Sequence, residues 1–311
     1  MKTITFLMLL LFSQIGHSCD NCNVYLNVTP NDDKHSFGIY YRYRLMMGLY
    51  DNIGQQIMTR HANHGNDPAF WGNTVSEHFR TYELRGTYRI GQRFRTYTIL
   101  PFVQNSQFID ENKRYELFGF GDPILIETVE ITDPVKIYKN ENFRQRLEMG
   151  FGIKAPLGRI DKTYHEKIPN LDLQPGTGSW DMIAMAKYVM KIKFFGIMSN
   201  ITYKINTRNR DNYRYGNILN GTLKFFFQTE FKNFAFMPMI GCNIEHASYD
   251  FSTVTHLDTG GEAWFADLGA QVFWKKYQLF GEFQRAVSNK MNGHSQLINK
   301  FKANIGLIYN I

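Results

Sequence analysis

Several groups of residues in this chain have the types and spacing to do chemistry. Cys19-Asp20-Asn21-Cys22 is a C-x-x-C pair. Outside the cytoplasm such a pair can close a small disulfide, exchange thiols or hold a metal. Haem attachment would need a histidine at position 23, where Asn23 stands. His61 and His64 are spaced i, i+3, which suits zinc or copper, and His78 lies beside the same predicted loop. The plainer reading is of solvated loop histidines. His246-Ala247-Ser248 is the one enzyme-like arrangement. A His and a Ser two apart on a strand share a face, so the imidazole can activate the hydroxyl for acyl hydrolysis. No orienting acid or amide stands out beside them.

The largest group is a set of charges in alternating positions. The cations are Arg42, Arg44, Arg85, Arg144, Arg146, Lys154, Lys187, Lys204, Lys224 and Lys302; the anions are Glu83, Glu148, Asp181, Glu245, Asp267 and Glu282. Gathered on one inner surface, they can form ion-pair ladders that close a narrow barrel, or they can line a selective pore. They imply no cofactor and no covalent catalysis.

Strands must position these charges. Phe301, Ala303, Ile305, Leu307, Tyr309 and Ile311 are apolar at every second place, with mostly polar or small residues between. A period of two sends successive side chains to opposite faces of a strand. The same pattern recurs at 36–47, 78–90, 93–104, 117–130, 143–155, 180–190, 194–206, 215–230, 233–245, 264–274 and 277–287. With 301–311 that makes about twelve strands, an even number, as a single-chain outer-membrane barrel requires. A last strand pairing with the first would leave no edge.

Predicted connections alternate in length. Those near Gly91, Lys191, Lys232 and Lys275 are tight, and only 131–142 is longer on that side. The other side carries 48–77, 105–116, 156–179, 207–214, 246–262 and 288–299. Short periplasmic turns and long outer loops are the asymmetry of an outer-membrane barrel.

Composition agrees. Aromatic residues make up 15% of the chain, as strands with aromatic girdles would need. Mean hydropathy is −0.35, too low for a bundle of spanning helices but suited to half-apolar strands. The net charge of +7 has no basic cluster interleaved with stacking aromatics, which argues against nucleic-acid binding. Residues 1–18 read as a signal peptide, with Lys2 before an apolar run and Gly16-His17-Ser18 at the cleavage site. Lipidation of Cys19 is the other reading. Either places 19–35 in the periplasm as a segment able to meet a partner, and 36–311 in the barrel. Cys242 falls inside a strand.

Three motifs are more specific than alternation: Gly150-Phe151-Gly152-Ile153-Lys154-Ala155-Pro156-Leu157-Gly158, Leu173-Gln174-Pro175-Gly176-Thr177-Gly178-Ser179-Trp180-Asp181, and Gly119-Phe120-Gly121-Asp122-Pro123. In this chain they resemble the "transporter" outer-membrane barrels related to the phenol meta-cleavage (MetA) pathway family, in the version found in Bacteroidetes-type bacteria. The segments around Tyr203-Lys204-Ile205-Asn206 and Thr259-Gly260-Gly261 are similar to that version too. The resemblance implies a Gram-negative outer membrane, lipid partners, and passage of small hydrophobic or aromatic cargo. From the residues themselves, Gly150 and Gly152 are expected to make room for neighbouring side chains or a plug. The turn at 175–178 is expected to re-enter the barrel, and Asp122 and Asp181 to cap backbone donors or pair with a luminal arginine. A closed structural or metal-linked partner-binding barrel and an acyl hydrolase remain the alternatives.

Overall fold

The computed structural model describes residues 35–49, 72–132, 143–257, 259–292 and 297–311. These form one closed antiparallel wall. Its elements are β1 (Ser36–Leu49), β2 (Thr74–Ile90), β3 (Phe94–Ile109), β4 (Asn112–Phe120), β5 (Ile124–Glu130), β6 (Phe143–Lys154), β7 (Asp181–Ile192) and β8 (Phe195–Asn206). There follow β9 (Ile218–Phe227), β10 (Thr229–Glu230), β11 (Ala235–Ala247), β14 (Gly261–Trp274), β15 (Tyr277–Met291) and β16 (Ile298–Asn310), while the short pair β12 (Asp250–Phe251) and β13 (Thr255–His256) stands apart. β4 with β5, and β9 with β10, each make one interrupted stave, so the barrel has twelve. β16 pairs with β1 from Asn310↔Ser36 upward, which closes the ring. Closure satisfies backbone N–H and C=O groups within the wall, the condition for crossing lipid without helices. No helix among the described residues is long and apolar enough to cross a membrane.

Alternation decides which way each side chain points. Phe151 is 78% exposed and Leu268 65%, both outward, while Glu148 and Asp267 on the same strands are buried inside. An oily exterior around a polar interior suits lipid. At the end carrying the tight turns, Trp274 stacks on Tyr277 with centroids 6.0 Å apart, and Tyr309 lies tilted against Tyr277 at 5.4 Å. Trp264 stands ten residues along β14 from Trp274, about 25 Å away along the barrel axis for a strand tilted by about 40°. The two tryptophans bracket an apolar band of ordinary height.

Some predicted boundaries move. Residues 105–116 are not a long loop: β3 and β4 run on as a hairpin, with Ile109 opposite Asn112 and Asp110 at φ 53°. The predicted strand at 117–130 is broken at Gly121-Asp122-Pro123, because proline cannot donate to a ladder. β2 begins at Thr74, four residues before the predicted start at His78, whose Nδ1 lies 2.7 Å from the Tyr43 hydroxyl. Gly150 and Gly152 make room for the neighbouring Thr128 and Ile126 side chains rather than for a plug. A Cβ on Gly152 would stand 2.6 Å from the Leu125 carbonyl, and one on Gly150 would strike that of Glu127, so β5 itself takes the space.

Candidate functional site

The candidate site is the lumen, and the β6–β7 connection folds in at its loop end. This segment turns inward through a short 3-10 turn, Leu171–Leu173, and buries Gln174, Thr177 and Ser179. The three sequence motifs meet here. Asp122, freed from the ladder by the β4–β5 break, accepts from the Gly158 and Thr177 amides (2.8 Å each) and from the Thr177 hydroxyl (2.9 Å). Lys154 ends β6 with its Nζ 3.0 Å from Asp122 and 2.6 Å from Asp181, and it donates to Thr177. Asp181 also accepts from Ser179 and from the Thr207 amide. Both aspartates therefore cap backbone donors as expected, but their cation is a lysine rather than an arginine. A Cβ on Gly158 would lie 2.6 Å from the Gly176 Cα, so only glycines let the two backbones cross. Leu173 packs among Met46, Val75, Phe79, Ile109, Leu117 and Leu297 beneath the mouth.

Below this knot, two ion-paired groups occupy facing walls. On β3, β5 and β6, Arg95 bridges Glu130 (3.3 Å) and Glu148, Arg146 reaches Glu148 (3.0 Å), and the Tyr97 hydroxyl donates to Glu148 at 2.9 Å. On the other wall Glu245 of β11 receives Lys302 of β16 and Arg44 of β1, the latter at 3.2 Å. Those strands stand third and fourth from β11 in the ring, so the pairs run as chords across the lumen. Lys224 of β9 reaches Glu282 of β15, again the third strand along. Asp267 is 3% exposed, and neither of its oxygens has a hydrogen-bond partner among the described residues. Buried charges at this density hold only by pairing with one another.

The predicted luminal residues fall as follows. Arg44, Arg85, Arg146, Glu148, Lys154, Asp181, Lys204, Glu245, Asp267 and Glu282 are buried inside. Arg42 is partly buried and pairs with Glu83 at 2.7 Å. Arg144 is exposed where β6 meets the turn end, opposite Lys191. Sequence reasoning missed Arg95, Glu130 and Glu77, all buried. The inward face of β3 carries Tyr97, Ile99 and Val103 and so reads as a lipid face. Only Arg95 itself, at the end of that row, signals otherwise.

The other candidates are dispersed. His246 and Ser248 lie on the outer face at the loop end, but the Ser248 hydroxyl donates to the Asn217 carbonyl at 3.2 Å. Cys242 is a free thiol on β11. Cys19, Cys22, His61 and His64 lie outside the described residues. Among those described, no group of three or more His, Cys, Asp or Glu is arranged to hold a metal.

In fold the chain is similar to solved outer-membrane proteins. An outer-membrane channel from Pseudomonas putida F1 superposes with a TM-score of 0.62 at 16% identity, covering 92% of this chain and 100% of that one. More distant in shape are a Pseudomonas aeruginosa FadL homologue (TM-score 0.44, 10% identity, 89% and 90% covered) and LpxR from Salmonella typhimurium (0.40, 9%, 89% and 100%). No family model and no curated protein matches the sequence. The class defined here is the twelve-stranded barrel of outer-membrane type.

Proposed function

We propose that the chain is an outer-membrane channel for small molecules, with a narrow, gated lumen that favours hydrophobic or aromatic cargo. One observation carries this reading: among its charges the lumen holds an apolar cluster at each end. At the turn end Val189, Met198, Phe226, Met237, Met239 and Phe280 face inward as one cluster, and the Leu173 cluster lies at the loop end. A porin lumen wetted throughout has no use for such patches, whereas unbranched, polarisable methionines adapt to varied apolar guests. Likeness of fold to an outer-membrane channel supports the same reading. The test is flux into proteoliposomes. A small aromatic solute should enter faster than a sugar of equal size, and Met239→Asp should erase that preference. Absence of flux for every solute tried would instead favour a closed structural barrel, which the cross-lumen ion pairs also fit.

A further inference from the structure

The outer surface carries arginines where a lipid-facing wall should carry none. Arg285 of β15 lies on the same outward row as Phe283, is exposed, and has no ion pair or hydrogen bond with another described residue. Arg80 of β2 also faces out; it donates to Ser106 at 3.1 Å and lies over the Tyr43 ring, 5.8 Å from its centroid. The register joins them through adjacent strands: Arg285 is opposite Phe301, and Tyr43 is opposite Arg80. Phe301 and Tyr43 are themselves in contact, at 5.6 Å. Two guanidinium groups thus flank an aromatic platform.

Height explains why this is tolerated. Arg285 stands eight residues above Tyr277, and Arg80 ten above Ile90, about 20 and 25 Å up the barrel for a strand tilted by about 40°. Arg80 therefore sits level with Trp264 at the upper edge of the apolar band, and Arg285 about 5 Å below it, two residues down the paired strand. A cation facing lipid near that edge costs far less than one at the midplane. The neighbouring carboxylates are engaged: Glu262 accepts from Trp264 Nε1, and Glu116 from Lys113 and Gln104. The opposite face differs. At corresponding heights β7 and β8 turn Met182, Ala184, Tyr203 and Ile205 outward, with no cation.

We infer that the face from β15 to β2 is a binding site for an anionic glycolipid of the outer leaflet, its phosphates held by Arg285 and Arg80 and its acyl chains laid along Phe301 and Tyr43. Planar guanidinium forks match phosphate oxygens. The inference rests on the reading of the barrel as an outer-membrane protein. The test uses the full mature chain inserted in phosphatidylethanolamine vesicles, then extracted in mild detergent with added bis-phosphorylated lipid A and examined by native mass spectrometry. Wild type should retain the lipid at least about tenfold better than Arg80→Gln/Arg285→Gln, and should retain the dephosphorylated lipid no better than that variant does. Arg285→Lys should recover part of the binding. Both proteins should show the gel-mobility shift of a folded barrel on cold electrophoresis. If wild type and variant insert yet retain both lipids equally, the glycolipid site is refuted while the barrel assignment stands. A wild type that enters no vesicle overturns both.

Discussion

The knot at the loop end and the chords across the lumen are both built from buried charges, yet they are different kinds of structure. In the knot, Asp122 is held by two backbone amides, a hydroxyl and Lys154, and two glycines fix the crossing of the chain. Donors attached to the main chain cannot turn away. Across the lumen, Glu245 and Glu282 are held by the ends of side chains, Arg44, Lys224 and Lys302 on distant strands and the amides of Asn304 and Gln284 nearby. Asp267 is left over among them. Rotamer changes alone can exchange these partners. On the proposed channel reading, the knot is the part that would fix the mouth and the chords are the part that would set the width of the bore.

The sharpest way to break this contrast is Asp122→Ala. It strands Lys154 beside a single aspartate and frees two buried amides, so the barrel should lose on the order of 3–5 kcal/mol, measured by urea unfolding in lipid vesicles. A loss no larger than that of a lumen variant would end the distinction. Next comes Gly158→Ala, whose methyl must push back the Gly176 backbone; about 1–3 kcal/mol is expected in the same assay. Glu245→Gln should act on the other side of the comparison. It weakens both chords to Arg44 and Lys302, and conductance in planar bilayers should rise several-fold with a smaller fall in stability than Asp122→Ala produces. Unchanged conductance would show that the chords do not set the bore.

The smallest effect belongs to the exposed link between the loops. Hydrogen bonds from Arg210 and Arg159 hold the Asp161 carboxyl down at about 2. A depressed carboxylate stabilises the folded form above its ordinary value near 4 and loses that contribution as pH falls through about 2. Limited proteolysis of the 156–179 segment should therefore be unchanged from pH 7 to pH 4. Asp161→Asn should quicken it only slightly, since exposed pairs contribute little.

Alternation in the sequence carried the number of staves, the outward rows and the inward charges on β1, β2, β6 and β16. It failed where both faces look alike. The inward Tyr97, Ile99 and Val103 hid Arg95, and the polar run after Asn105 concealed a hairpin that continues above the wall. The Gly-Asp-Pro and Pro-Gly-Thr-Gly motifs marked places where the ladder must stop and the chain must turn. Their spacing could not reveal that Asp122, Lys154, Thr177 and Asp181 share one site.

What the sequence determined by itself is local: a two-residue period and turn residues say which side of a strand each side chain takes, because neighbours along the chain enforce it. Only the closed tertiary structure decided the partners. Arg44 and Glu245 are 201 positions apart by their numbering, and nothing between them encodes a distance. They meet because twelve staves curl round until the fourth strand from β11 comes within reach.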